Sequence, residues 1–153
     1  MGKTDFIVIG TLNGCMRKSV FPHFVDGTIF LGLESPKTFI SRDGSEKKFG
    51  NIKWFTTFDM PRRPLPPESY KCPCEYERFA NSPGINVNRL SDIPKDYYGV
   101  VGVPITFLEH DYGDWTILDI NNAPILEGGG ENTFRRVFLS RKFSRLLIKQ
   151  NEK

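Results

Sequence analysis

The chain has 153 residues and a mass of 17.5 kDa, the size of one ordinary domain, and it needs neither metal nor disulfide to build a core. Hydrophobic residues make up 39% and charged residues 25%, which excludes whole-chain disorder, and no apolar run approaches the ~18 residues of a membrane span. The net charge of +3 is segregated: residues 96–131 hold seven acids and no Lys or Arg, while residues 132–153 hold seven Lys or Arg against Glu152.

Phe6-Ile7-Val8-Ile9-Gly10 is apolar at every position, the mark of a strand buried on both faces, as in the centre of a parallel sheet. Such a strand wants neighbours on both sides, so the chain reads as the back half of a larger sheet. The run is too short for the core of a signal peptide. Asn13 to Val25 is a loop and then a helix that Pro22 must kink or restart, and Asp26-Gly27 ends it. Thr28 to Gly32 is a second buried strand, completing a βαβ-like unit. Thr38 to Ser41 and Gly50 to Phe58 read as two arms of a hairpin around a polar loop. In the second arm Ile52, Trp54, Thr56 and Phe58 share one face, and Lys53, Phe55 and Thr57 the other. Alternation then puts Trp54 under the sheet and leaves Phe55 among polar neighbours.

Pro61-Arg62-Arg63-Pro64-Leu65-Pro66-Pro67 is extended, and residues 68–97 are irregular with short strands. Tyr98 to Leu108 is mostly apolar, broken at Gly99, Gly102 and Pro104. Asp111-Tyr112-Gly113-Asp114 turns it into a strand from Trp115 to Ile120. Thr133 to Leu139 is another strand, and Ser140 caps a terminal helix with Phe143, Leu146 and Leu147 on one stripe. Together these elements make one α/β domain over residues 1–153.

Three stretches go beyond generic secondary structure. The first is Phe6 to Gly10, with Asn13-Gly14 after it and Ile29-Phe30-Leu31-Gly32 a helix later. The second is Gly50 to Phe58. The third runs from Ile85-Asn86-Val87 through Asp92-Ile93-Pro94 to Gly102-Val103-Pro104-Ile105-Thr106-Phe107-Leu108. In this order and spacing the chain resembles the C-terminal part of the EcoRI-type adenine-specific DNA methyltransferase family, over most of residues 5–139. The resemblance implies a partial Rossmann-like methyltransferase sheet with added antiparallel hairpins. It also implies methyl transfer from S-adenosylmethionine to the exocyclic amine of adenine in duplex DNA, within restriction-modification.

The same resemblance exposes what is missing. Such enzymes hold the cofactor on a Gly-rich turn after a strand, and the target amine beside an Asn or Asp followed by Pro-Pro and an aromatic. Here Pro66-Pro67 is flanked by Leu65 and Glu68, and Gly128-Gly129-Gly130 sits between Glu127 and Glu131 before a strand. The expectation is therefore that no catalytic or cofactor-binding residue stands in this chain and that it binds no S-adenosylmethionine alone. It would supply part of the sheet, one wall of the base pocket and some DNA contacts, with a separate N-terminal half supplying the rest; otherwise it is a truncated remnant. The alternative is a stand-alone nucleic-acid-binding or protein-interaction module on the same scaffold.

Phe55 and Trp54 are the base-stacking candidates, Phe55 first, because the family's chemistry needs the target base flipped out and stacked on an aromatic. Lys53, Arg62, Arg63, Arg135 and Arg136 are the DNA-backbone candidates. Arg135 and Arg136 point to opposite faces of one strand, so at most one serves a given surface. Cys72-Pro73-Cys74 is one tight pair without the second pair that structural zinc uses, so it reads as loop thiols. Three cysteines, an odd count, fit a reducing, cytoplasmic setting.

Overall fold

The computed structural model describes residues 4–80, 83–121, 125–126 and 144–152. The described residues are mostly strand with little helix, and they fall into two compact units, Met1–Arg63 and Pro64–Lys153. No helix among them is long and apolar enough to cross a membrane.

In the first unit, β1 (Ile7–Thr11) runs into a 3₁₀ turn, Leu12–Met16, and then α1 (Phe21–Val25). Pro22 sits in the first turn of α1, where its missing N–H has no partner to lose, so it starts the helix rather than kinking it. Gly27, at φ 66°, ends the segment in the left-handed region that favours glycine. The chain then enters β2 (Phe30–Leu31). β1 and β2 run parallel to each other, as a βαβ unit requires, but they are not neighbours. The sheet order is β1, β5 (Ile52–Thr56), β2, and β5 pairs antiparallel with both.

This corrects one expectation. The arm Gly50 to Phe58 does not close a hairpin on Thr38 to Ser41. That hairpin is instead β3 (Thr38–Ile40) with β4 (Glu46–Lys48), around a turn in which Gly44 has φ 82° and Asp43 accepts from Ser45 N–H at 3.0 Å. β1 leaves the open edge expected of a strand whose larger sheet is incomplete. It lies at the edge of its sheet, with Ile7 60%, Val8 49% and Ile9 45% exposed. Two threonines tie its entry to the end of β5. Thr56 Oγ1 donates to the Phe6 carbonyl at 2.9 Å, and Thr57 Oγ1 accepts from Phe6 N–H at 3.0 Å.

The second unit is built on a six-stranded mixed sheet. Its strands are β6 (Glu77–Phe79), β7 (Ile85–Asn86), β8 (Val100–Val103), β9 (Trp115–Asn121), β10 (Ile125–Leu126) and β11 (Arg145–Gln150), in the spatial order β9, β11, β8, β7, β6, β10. Only β7 and β8 are parallel among these pairs. One face carries Ile85, Val87, Val101, Val103, Leu146 and Ile148, all fully buried, with Phe107 packed among the buried residues. Burying side chains of this size is worth about 1.5–3 kcal/mol each, so this row makes a large contribution to the unit's stability.

The segment from Arg145 is thus a strand, not the terminal helix expected from Phe143, Leu146 and Leu147. It is held between β8 and β9, with Leu146 opposite Val103 and Ile148 opposite Val101. The turn into β9 falls where the sequence puts it, with Gly113 at φ 35° and Trp115 N–H bonded to the Tyr112 carbonyl at 2.7 Å. The loop thiols are also corrected: the Cys72-Pro73-Cys74 turn brings the two Cα atoms to 5.3 Å and joins the sulfurs as a disulfide. The strand expected over 133–139, and Gly128 to Gly130, lie outside the described residues.

Candidate nucleic-acid interface

The antiparallel register of β5 decides what each candidate side chain faces. Val8 and Leu31 lie opposite Phe55, and Gly10 opposite Lys53, so these share one face of the three-stranded sheet. The 3₁₀ turn and α1 belong to that side. Phe24 meets Phe55 edge to face, at 5.7 Å between centroids and 69° between planes. Phe55 is 7% exposed, and its ring lies so close to Gly10 that a Cβ there would stand 2.8 Å from Cε2. Phe55 is therefore a core residue, and the assignment of faces made from alternation is reversed. Alternation separates the two faces correctly but cannot say which one a helix covers.

The other face carries Ile7, Ile9, Trp54, Thr56 and Phe30. Trp54 is half-buried, and Gly32 beside it leaves the room its side chain takes, since a Cβ at Gly32 would come within 2.8 Å of the Trp54 Cβ. Phe58, expected on this face, lies past the end of β5 and is exposed. Arg62 stands over the Phe30 ring, its guanidinium carbon 5.4 Å from the centroid, a cation–π contact. Arg63 donates from Nη2 to the Leu33 carbonyl at 3.1 Å. The structure thus brings Trp54, Phe30 and Arg62 to one face of the first unit and puts Phe55 and Lys53 on the other. Arg135 and Arg136 lie outside the described residues.

On the Phe55 side a cleft of about 270 Å³ is lined by Phe6, Val8, Gly10, Thr11, Gly14 and Arg17, among others. It does not fit S-adenosylmethionine. It lacks a carboxylate to take ribose hydroxyls, and the space that Gly10 leaves is filled by the Phe55 ring rather than open to a ligand. Among the described residues no group of three or more His, Cys, Asp or Glu could hold a metal ion.

A polar constellation in the second unit was not anticipated from sequence. On the sheet face opposite the apolar row, Asn86, 3% exposed, donates from Nδ2 to Glu77 Oε2 and to Asn88 Oδ1, both at 3.2 Å. Arg145 donates from Nε to Asn86 Oδ1 and from Nη2 to Asn88 Oδ1, both at 3.0 Å. Burial holds the Arg145 pKa below the usual guanidinium value, and the nearby Glu77 carboxylate opposes that shift only in part. The available signal was Asn86 between Ile85 and Val87, an amide in a buried strand that must find partners. Arg145 could not be found as that partner while its segment was read as a helix.

The sequence profile described as "Adenine-specific methyltransferase EcoRI" matches residues 2–150. The Type II methyltransferase M.EcoRI of Escherichia coli is 32% identical over 125 residues, covering 67% of this chain and 38% of that protein. The Type II methyltransferase M.MgeORF184P of Mycoplasma genitalium is 27% identical over 128 residues, covering 68% of this chain and 40% of that protein. The chain thus spans about two fifths of the length of these curated relatives. No solved structure matches. The match takes in both units, from β1 through β11, and the chain belongs to the EcoRI-type adenine-specific methyltransferase family.

Proposed function

We propose that this chain is part of a site-specific DNA adenine methyltransferase of the restriction-modification kind, which moves a methyl group from S-adenosylmethionine to the exocyclic amine of adenine in duplex DNA. The observation that carries the reading is the family match across residues 2–150. The first unit supports it. Two parallel strands joined through a helix, with an antiparallel strand between them, fit the edge of a Rossmann-like sheet whose remaining strands would add at β1. The cofactor site and the Pro-Pro-aromatic loop stand outside these 153 residues, on the same polypeptide or a second one.

Within that assembly this chain supplies a wall of the base pocket and part of the DNA surface. Trp54 takes the stacking role, since it is half-buried while Phe55 is held in the core against Phe24. Arg62 and Arg63 follow β5 by six and more residues and place two cations past the end of that strand.

The test combines the chain with the cofactor-binding part of a family member and follows methyl transfer to adenine in duplex DNA. Transfer is expected from the mixture and from neither part alone. Calorimetry should find no S-adenosylmethionine binding by this chain; one-to-one micromolar binding would overturn the division of labour. Duplex binding with no methyl transfer in any mixture would leave a stand-alone nucleic-acid-binding module. In the same mixture Trp54→Leu should weaken capture of an extrahelical adenine about 5- to 150-fold, read from a fluorescent adenine analogue at the target position. An unchanged flipped-base signal would remove Trp54 from the pocket.

DNA binding by the chain should be salt-dependent. Replacing Arg62 and Arg63 together by Ala should flatten the logarithmic salt slope by up to about one unit per lost phosphate contact. A slope equal to that of the unaltered chain would assign both arginines to contacts within the chain.

A further inference from the structure

In the cluster Glu77, Asn86, Asn88 and Arg145 both amide oxygens accept from within the cluster. Asn86 Oδ1 takes the Arg145 Nε–H, and Asn88 Oδ1 takes N–H groups from both Arg145 Nη2 and Asn86 Nδ2. Glu77 fixes the amide of Asn86 in the orientation that presents its oxygen to Arg145. Among the described residues the Nδ2 amide of exposed Asn88 and the Nη1 of Arg145 meet no acceptor, and they stand beside the half-buried carboxylate of Glu77. A guanidinium locked at two of its nitrogens, beside an amide locked at its oxygen, is a preorganised donor pair.

We infer that Asn88 and Arg145, positioned by Asn86 and Glu77, read the two major-groove acceptors of a guanine in the duplex target. The inference rests on the DNA reading above and assigns it specificity-determining residues. Guanine shows O6 and N7, two acceptors side by side, which two fixed donors match. Adenine shows one acceptor and one donor, and the oxygen that would accept from it is already taken at Asn88. A phosphate would also accept these donors, but Glu77 sets a negative charge beside the site, which weakens simple attraction to the backbone. The competing reading is that the cluster only ties β11 to β7 across the sheet.

Selection of bound duplexes from a randomised library, with the full chain as bait, separates these readings. Asn88→Asp keeps the oxygen that Arg145 and Asn86 need and removes the Nδ2 N–H. Asn88→Ala removes it without adding charge. Arg145→Lys keeps charge but loses the fork. The wild-type chain should enrich guanine at one position. Asn88→Asp and Asn88→Ala should lower that preference about 5- to 150-fold while other positions keep theirs and the thermal midpoint of Asn88→Asp is unchanged. The same guanine preference in both Asn88 variants would overturn the inference and leave a structural tie. A uniform loss across all sequences, with a salt slope smaller by about one, would overturn it in favour of a phosphate contact. Should Arg145→Lys fail to fold, the two Asn88 variants decide alone. No retention of any duplex by the wild-type chain at low salt would overturn the DNA reading itself, and this inference with it.

Discussion

Phe55→Ala should lower the stability of the first unit by about 3–5 kcal/mol, the cost of emptying a buried aromatic site. Phe55 is 7% exposed, meets Phe24 edge to face, and lies within contact of Gly10 and Gly14, where no side chain could close the hole. The core around it is small. Among the described residues of the first unit, Cys15, Phe24 and Leu31 are the other buried apolar side chains, so the loss falls on a small core. Trp54→Leu should cost less, because Trp54 is only half-buried. Denaturant unfolding of both variants checks the order. A larger loss from Trp54→Leu than from Phe55→Ala would restore the opposite assignment of faces and return Phe55 to the base pocket.

That comparison marks where the sequence stops being informative. Alternation in Ile52 to Thr56 identifies a strand and sorts its side chains into two sets, but both sets hold an aromatic. Only the packing of Phe24, about thirty residues earlier in the chain, says which set is core. The partner of β5 is hidden from the sequence for a related reason. Consecutive strands pair more often than distant ones, so the hairpin with Thr38 to Ser41 was the local expectation, while β5 is claimed by β1 and β2.

The end of the chain shows the same limit in another form. Phe143, Leu146 and Leu147 fit a helical stripe, yet Leu146 and Ile148 also fit a strand with Arg145, Leu147 and Lys149 on its other side. Six residues suit both periods, and pairing to β8 and β9 decides. Local punctuation fared better. Pro22 restarts a helix, Gly27 ends it, and the turn at Asp111 to Asp114 leads into β9, because these rest on backbone sterics that no distant contact alters. The Asn86–Arg145 bond spans fifty-nine positions and had no such local sign.

The isolated chain should self-associate through β1. Edge strands in stable monomers are commonly guarded by charge, proline or a bulge, and Ile7 to Thr11 has no charged residue and no proline. Its apolar side chains are exposed on both faces, Ile7 and Ile9 on one and Val8 on the other. Burying an isoleucine of this exposure is worth on the order of 1 kcal/mol, so two on one face, with the unpaired edge beside them, favour association by several kcal/mol. Sedimentation velocity of the wild-type chain should show species that grow with concentration. Ile7→Lys with Ile9→Lys should shift the chain to monomer, since both lysines would desolvate on docking while in the monomer they stand in water. A wild-type chain that stays monomeric at high concentration would count against β1 as an interface. The double variant also separates two uses of that edge. If it loses both self-association and methyl transfer in the reconstituted mixture, β1 is where the rest of the methyltransferase sheet adds. If it becomes monomeric but still supports methyl transfer, self-association is a property of the isolated chain and the cofactor-binding part docks elsewhere.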